Sequence, residues 1–204
     1  GVGGWDGKIN NGTLEVGGSL RVNVDGNSSR ARGSAVVKMV GSGNSGLYCS
    51  NNTTTLYWNH LRIAKDSGAR VTLQDNIGNT GRNFYVDSGV FDLNGHNIGA
   101  SNIYVYDTLR LFGSESISAT KRLQSGSTVE YTGAGSYGSL LMGNSYTNLI
   151  FNGTGDWTPT GDVTVAGDLS LTNGTLIDNG NTITVQGNWS QSSGTLTATG
   201  TVVL

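Results

Sequence analysis

The chain has 204 residues and a mass of 21.2 kDa, enough for one elongated domain or two small ones. It holds 33 glycines against one proline, only 13% charged residues and a net charge of −2, the balance of a turn-dense, neutral-polar β protein. That balance excludes a helical bundle and a polybasic nucleic-acid binder; the single cysteine excludes an internal disulfide and a CxxC metal site, and no run of about 18 apolar residues is present to span a membrane as a helix.

Taken in order, residues 1–10 are a Gly-rich, irregular lead-in, and residues 11–204 read as repeats. Leu14, Val16, Leu20, Val22 and Val24 alternate with polar or small residues, a period of two that predicts strand, and Asp25-Gly26-Asn27-Ser28 predicts a turn. Residues 33–43 predict a second strand and turn, and residues 44–55 a polar loop. Strands are expected around Trp58–Ile63, Val71–Leu73 and Phe84–Val86. No segment carries apolar residues at i, i+3, i+4 and i+7 over three turns, so almost no helix is expected.

The clearest pattern lies near the end. Val165-Ala-Gly167-Asp-Leu169 through Gly174-Thr-Leu176 is repeated twenty residues later, without a gap, as Val185-Gln-Gly187-Asn-Trp189 through Gly194-Thr-Leu196. A gapless copy at that period, rich in strand formers and glycine, predicts an all-β fold: a single-stranded parallel β-helix, or β-solenoid, with rungs of about twenty residues. The small or turn-forming residues Gly18, Asp107, Gly167 and Gly187 mark one corner; Asn11-Gly12, Ser88-Gly89, Asn173-Gly174 and Ser193-Gly194 mark another. Because Asn-Gly also marks hairpins, an antiparallel β-sandwich is the alternative fold. Looser matches predict a super-repeat: Gly18-Ser-Leu20 with Asp107-Thr-Leu109, Gly33-Ser-Ala-Val36 with Gly126-Ser-Thr-Val129, Leu61 with Leu149, and Ser88–Ile98 with Asn173–Ile183. The copies run over about 11–87 and 88–172, with a partial third over 173–204. The chain opens on Gly1 and ends on Thr201-Val-Val-Leu204 inside a strand pattern, so it is expected to be a piece of a longer protein.

Ser127-Thr-Val-Glu-Tyr131-Thr-Gly133, Tyr146-Thr-Asn-Leu149-Ile-Phe151, Asp162-Val-Thr-Val165 and Gly187-Asn-Trp189 resemble the β-helical repeats of large exported bacterial surface proteins, the autotransporter passengers and filamentous-haemagglutinin-type adhesins. The resemblance covers about the last 120 residues well. It implies a right-handed parallel β-helix at the cell surface or outside the cell, acting as a spacer, fibre or adhesin. It transfers no catalytic residue.

Candidate chemistry is sparse. His60 and His96 lie far apart in sequence and read as solvated or hydrogen-bonded turn residues; no His-x-His, HExxH or Gly-x-Ser-x-Gly pattern occurs. Asp75, Asp87, Asp92 and Asp107 fall in consecutive rungs, where two carboxylates about 5–10 Å apart would serve a glycosidase; as outward structural aspartates they would serve none. Among the aromatics, Trp189 is expected in the core, Trp58 at a corner, Trp157 at the surface, and Tyr104 and Tyr106 as outward neighbours. Thr164, Thr182 and Thr184 are expected outward but too irregular for an ice-binding array. Arg30, Arg32 and Lys38 are too few for a nucleic-acid footprint.

The expected role is therefore a non-enzymatic structural or adhesive module with no cofactor, metal or catalytic residue. Its partners would be further repeats or subunits stacked head-to-tail, or cell-surface glycans, and not nucleic acid. The alternative is a carbohydrate-binding or polysaccharide-cleaving β-helix.

Overall fold

A computed structural model describes residues 11–23, 34–50, 60–77 and 82–204; the expected Gly-rich lead-in over 1–10, Trp58, Arg30 and Arg32 lie outside those residues. Among the described residues every regular element is a strand. Among the described residues the first six turns carry two strands each. These are β1 (Thr13–Val16) and β2 (Leu20–Asn23), β3 (Val36–Gly41) and β4 (Ser45–Ser50), β5 (His60–Lys65) and β6 (Arg70–Leu73), β7 (Asn83–Ser88) and β8 (Val90–Asp92), β9 (Ile98–Val105) and β10 (Thr108–Leu111), β11 (Ile117–Leu123) and β12 (Thr128–Tyr131). The later turns carry three: β13 (Ser136–Tyr137), β14 (Ser145–Tyr146) and β15 (Asn148–Phe151), then β16 (Asp156–Trp157), β17 (Val163–Val165) and β18 (Leu169–Leu171), then β19 (Thr175–Ile177), β20 (Thr182–Val185) and β21 (Trp189–Gln191). β22 (Thr195–Thr197) and β23 (Thr201–Val203) begin one more.

Like strands of successive turns stack into four sheets. Sheet A holds the odd strands β1 to β11; sheet B runs through nine strands from β2 to β21; sheets C and D begin at β13 and β14 and hold four strands each. Every pairing between these strands is parallel. The chain is thus a β-solenoid whose cross-section changes from two faces to three, and the antiparallel sandwich is excluded. Nine strands in sheet B give a stack roughly 40 Å long at the usual inter-strand spacing.

The core is made of columns of side chains along the axis. In sheet B one column runs Val71–Phe91–Leu109–Val129–Leu149–Leu169–Trp189, all buried except the half-buried Trp189. From Leu109 onward its members stand twenty residues apart, the period legible in the sequence. In sheet A, Val37–Leu61–Phe84–Ile103 form the matching column. Each of these side chains, fully buried, contributes on the order of 2 kcal/mol. Earlier turns are longer: Leu20, Leu47 and Leu73 are aligned across steps of twenty-seven and twenty-six residues.

One corner is where small or turn-forming residues were expected to place it, but Ser88-Gly89, expected at another, lies at this same corner, between β7 of sheet A and β8 of sheet B. Gly18, Asp107, Gly167 and Gly187 each lie between two strands of one turn. Asn94-Gly95 and Asn179-Gly180 form matching tight turns with φ of 50° and 78°, and 53° and 80°, a conformation that Asn tolerates and Gly adopts without strain.

Two expectations are corrected. Residues 45–50 are strand β4, not loop, with Leu47 and Cys49 in the core; Ser45 and Gly46 dilute the alternation that would have marked a strand. The long-range matches also join unlike positions: Leu20 and Leu109 both lie in sheet B, but Leu61 is on sheet A and Leu149 on sheet B, and Val36 and Val129 are divided likewise. The Leu20–Leu109 match thus shares its place in the coil, and the other two do not.

Candidate functional site

The four aspartates do not converge. Asp75 accepts from the backbone N–H of Cys49 at 3.0 Å, one turn back in sheet B. Asp87, on β7 in sheet A, takes both Nε and Nη2 of Arg62 at 2.6 Å each. Asp107, at the corner before β10, accepts from the Gly89 N–H at 2.7 Å and the Thr108 hydroxyl at 3.0 Å. Asp92 lies on the outer side of sheet B, in a column Thr72–Asp92–Arg110–Glu130. Each carboxylate bonds a neighbouring turn, and among the described residues none of the four shares a partner with another. Among the described residues no group of three His, Cys, Asp or Glu is placed to hold a metal ion.

The Asp92 column is the densest charged cluster, and Glu130, absent from the candidates read in the sequence, completes it. Both carboxylates are buried. Arg110 stands between them: its Nε and Nη2 donate to Glu130 Oε2 at 2.8 and 2.7 Å, and its Nη1 lies 3.9 Å from Asp92 Oδ2. Asn152 donates to Glu130 Oε1 at 2.9 Å; Asp92 also accepts from the Asn94 N–H at 2.9 Å and lies 3.5 Å from Arg70 Nη1. Burial pushes the Asp92 carboxyl above the usual range, and Glu130 adds to this, while the Asn94 N–H, Arg110 and Arg70 oppose it. Two turns separate the carboxylates, roughly 10 Å along the axis. That is near the spacing of an inverting glycosidase, but the guanidinium fills the gap where the nucleophilic water would stand.

Sheet A presents a second outward cluster. Its outer column runs Glu15–Lys38–Arg62–Tyr85–Tyr104–Arg122. Tyr85 and Tyr104 stack at 4.9 Å with an interplanar angle of 6°, and the guanidinium carbons of Arg62 and Arg122 lie 4.3 and 5.7 Å from the outer ring centroids. Beside them Arg122 donates to Asn102, Asn102 to Asn83, and Asn83 to the Tyr85 hydroxyl, at 3.0, 2.9 and 3.2 Å. The ring faces are covered by each other and by arginine, so they offer no flat platform for a sugar. Tyr104 is therefore outward as expected, but its partner is Tyr85, one turn back, while Tyr106 is exposed at the corner.

Other expectations resolve one by one. Trp157 is core and not surface: it has no exposure, stacks on Tyr137 at 5.6 Å, and donates Nε1–H to the Phe112 carbonyl at 3.3 Å. Its neighbours Thr158 and Pro159 suggested a surface turn, but pairing of β16 with β13 and β19 turns the indole inward. His60 meets Tyr85 edge-on at 5.3 Å on strand β5, and burial lowers its pKa, with the charges of Arg62 and Arg82 adding to the effect. His96 lies in the turn closed by its own N–H on the Leu93 carbonyl. Lys38 pairs with Glu15 at 3.1 Å.

Sequence reasoning missed the buried charges. Lys65 is 1% exposed, and its Nζ runs back along the corner to the carbonyls of Val40 and Gly17 at 2.7 and 3.2 Å. Glu115 accepts from the N–H groups of Phe112, Gly113 and Gly95. Asp178 accepts from those of Gly180, Thr199 and Gly200 and from the Thr199 hydroxyl. The one available signal was an acid within two residues of glycines at a turn.

No protein-family model, curated protein or solved structure matches this chain.

Proposed function

We propose that this chain is a non-enzymatic structural module, a rigid stacked rod belonging to an extracellular surface or filament protein of bacterial type. One observation carries the reading: polar side chains are used to bond one turn to the next. Asn148, Asp168 and Asn188 stand twenty residues apart at one corner; the Asn148 side chain accepts from the Asp168 N–H at 3.0 Å, and Asp168 accepts from the Asn188 N–H at 2.8 Å. The Asp92–Arg110–Glu130 column and the Arg62–Asp87 pair do the same on the sheet faces. Charges neutralised in this way resist bending and shear of neighbouring turns, which suits load-bearing and leaves little for catalysis.

The alternative, a polysaccharide-cleaving β-helix, finds its best support in Asp92 and Glu130. The experiment incubates the protein with bacterial and plant polysaccharides and measures reducing-sugar release, alongside force spectroscopy of the single chain. The structural reading expects no release and cooperative unfolding under load. Release that E130Q abolishes while the circular dichroism spectrum is unchanged overturns it.

A further inference from the structure

Sheet A stops in the middle of the molecule. Its last strand, β11, pairs with β9 on one side and, among the described residues, with no strand on the other, because the next turn leaves for sheets C and D. At the corner end the following turn still reaches it: the Thr147 hydroxyl donates to the Gln124 carbonyl at 3.0 Å. Over Ile117 to Arg122, among the described residues, no backbone hydrogen bond arrives from that turn. A side-chain contact of 3.4 Å from Gln124 Nε2 to the Arg122 carbonyl is the one bond of that kind there. Ser118, Thr120, Lys121 and Arg122 are exposed, whereas the core-facing residues of β9 are buried. A parallel strand directs the N–H and C=O of alternate residues to each side, so β11 presents an unused row of donors and acceptors.

Charge says what fits there. Lys121 ends the core-facing column Val37–Leu61–Phe84–Ile103, and Arg122 ends the outer column of sheet A. The other two cations of the outer column have carboxylates, Lys38 with Glu15 and Arg62 with Asp87. Among the described residues the Arg122 side chain has only Tyr104 and Asn102, and Lys121 has neither a hydrogen bond nor an ion pair. Two adjacent cations therefore point to opposite sides of an open edge. A second copy pairing β11 with β11 would bring lysine and arginine against lysine and arginine, which like-charge repulsion opposes.

We infer that the open edge of β11 is a docking site for an extended segment of another polypeptide carrying two adjacent carboxylates, which adds to sheet A as its next strand. Main-chain hydrogen bonds hold the segment, and one carboxylate meets each cation. This goes beyond the rod reading and does not depend on it.

The test uses the whole chain and three blocked peptides of about ten residues, each alternating Thr and Val around a central pair. The pairs are Glu-Glu, Lys-Lys, and Glu-Glu with alternate backbone nitrogens methylated. Affinity is measured by titration, and the docking site by hydrogen exchange. The Glu-Glu peptide is expected to slow exchange across β11 and to bind about tenfold or more tightly than Lys-Lys; methylation abolishes binding, and the double variant K121E/R122E, folded by circular dichroism, reverses the charge preference. The proposal is overturned if neither charged peptide binds or both bind equally. It is equally overturned if the methylated peptide binds as well as its parent, if protection falls on another edge such as β1 or β23, or if the free chain already protects β11 by dimerising.

Discussion

Asp178 is fully buried, yet its carboxyl is held below the usual range. Burial alone pushes it up, but the N–H groups of Thr199, Gly180 and Gly200 and the Thr199 hydroxyl outweigh that penalty. A carboxyl with a folded pKa below its unfolded value of about 3.9 adds stability that is present above about pH 4 and lost as pH falls through the folded value. D178N turns one acceptor into a donor facing N–H groups, so a loss of about 2–3 kcal/mol is expected at pH 7. In urea denaturation the gap between wild type and D178N should shrink toward pH 2; a gap independent of pH would remove the charged state from the account. Asp92 has the opposite sign, because burial raises its folded pKa and the folded state then favours the proton. Its contribution improves as pH falls through that raised value. Carboxyl NMR titration should place Asp92 above free aspartate and Asp178 below it, and the reverse order would refute both assignments. Most of the Asp178 environment was not legible in sequence, since each donor to it other than Gly180 comes from the next turn, about twenty residues away.

At the level of elements, Lys121 guards β11. It stands where the turns above place Ile103, Phe84 and Leu61, so a charge ends an otherwise apolar column at an open edge. A lysine at such a position discourages edge-to-edge pairing. K121I extends the column to solvent and is expected to cause concentration-dependent association in sedimentation velocity, with wild type unchanged; a K121I chain that sediments as wild type would show that the lysine has no such role. Corners were the readable part of these elements, because Gly18, Asp107, Gly167 and Gly187 interrupt the alternation of the strands on either side of them. Which sheet a strand joins was not readable. Alternation tells inside from outside but is identical for all four sheets, and so Val36 in sheet A could be matched to Val129 in sheet B. The burial of Trp157 escaped for the same reason: β16 has two residues, too short for a period, and its direction is set by β13 and β19.

For the whole molecule the decisive feature is the passage from two faces to three, which sheet B alone crosses without interruption. Large rings fill the core there. Trp157 lies 5.2 Å from Phe151 and 6.1 Å from Tyr131, and the Tyr131 and Tyr146 hydroxyls meet at 3.1 Å. Tyr131 Oη also accepts from the Met142 N–H, and Tyr146 donates to the Gly143 carbonyl at 2.6 Å. Burial pushes the Tyr131 hydroxyl up to about 12 and the Tyr146 hydroxyl higher still, so both remain neutral donors. The Trp157 bond to Phe112 reaches back across the junction. The space for the indole depends on glycine: a Cβ on Gly174, whose φ is 72°, would lie 2.5 Å from the carbonyls of Gly153 and Gly155 and 2.8 Å from the ring. In a solenoid, stability is a sum of turn and nearest-neighbour terms, and cooperativity is lost where one neighbour term is weakened. W157A should cost about 3–5 kcal/mol, and most of that falls on the link between halves. Cys49 reports the first half, because burial, and then the charge of Asp75, push its thiol up to about 12 and keep it unreactive until β4 opens. Hydrogen exchange over β17 to β23 reports the second. Wild type is expected to expose both in one urea transition. In W157A exchange over β17 to β23 should accelerate at a lower urea concentration than Cys49 labelling, and a single shared transition in the variant would mean that sheet B couples the halves without the aromatic cluster.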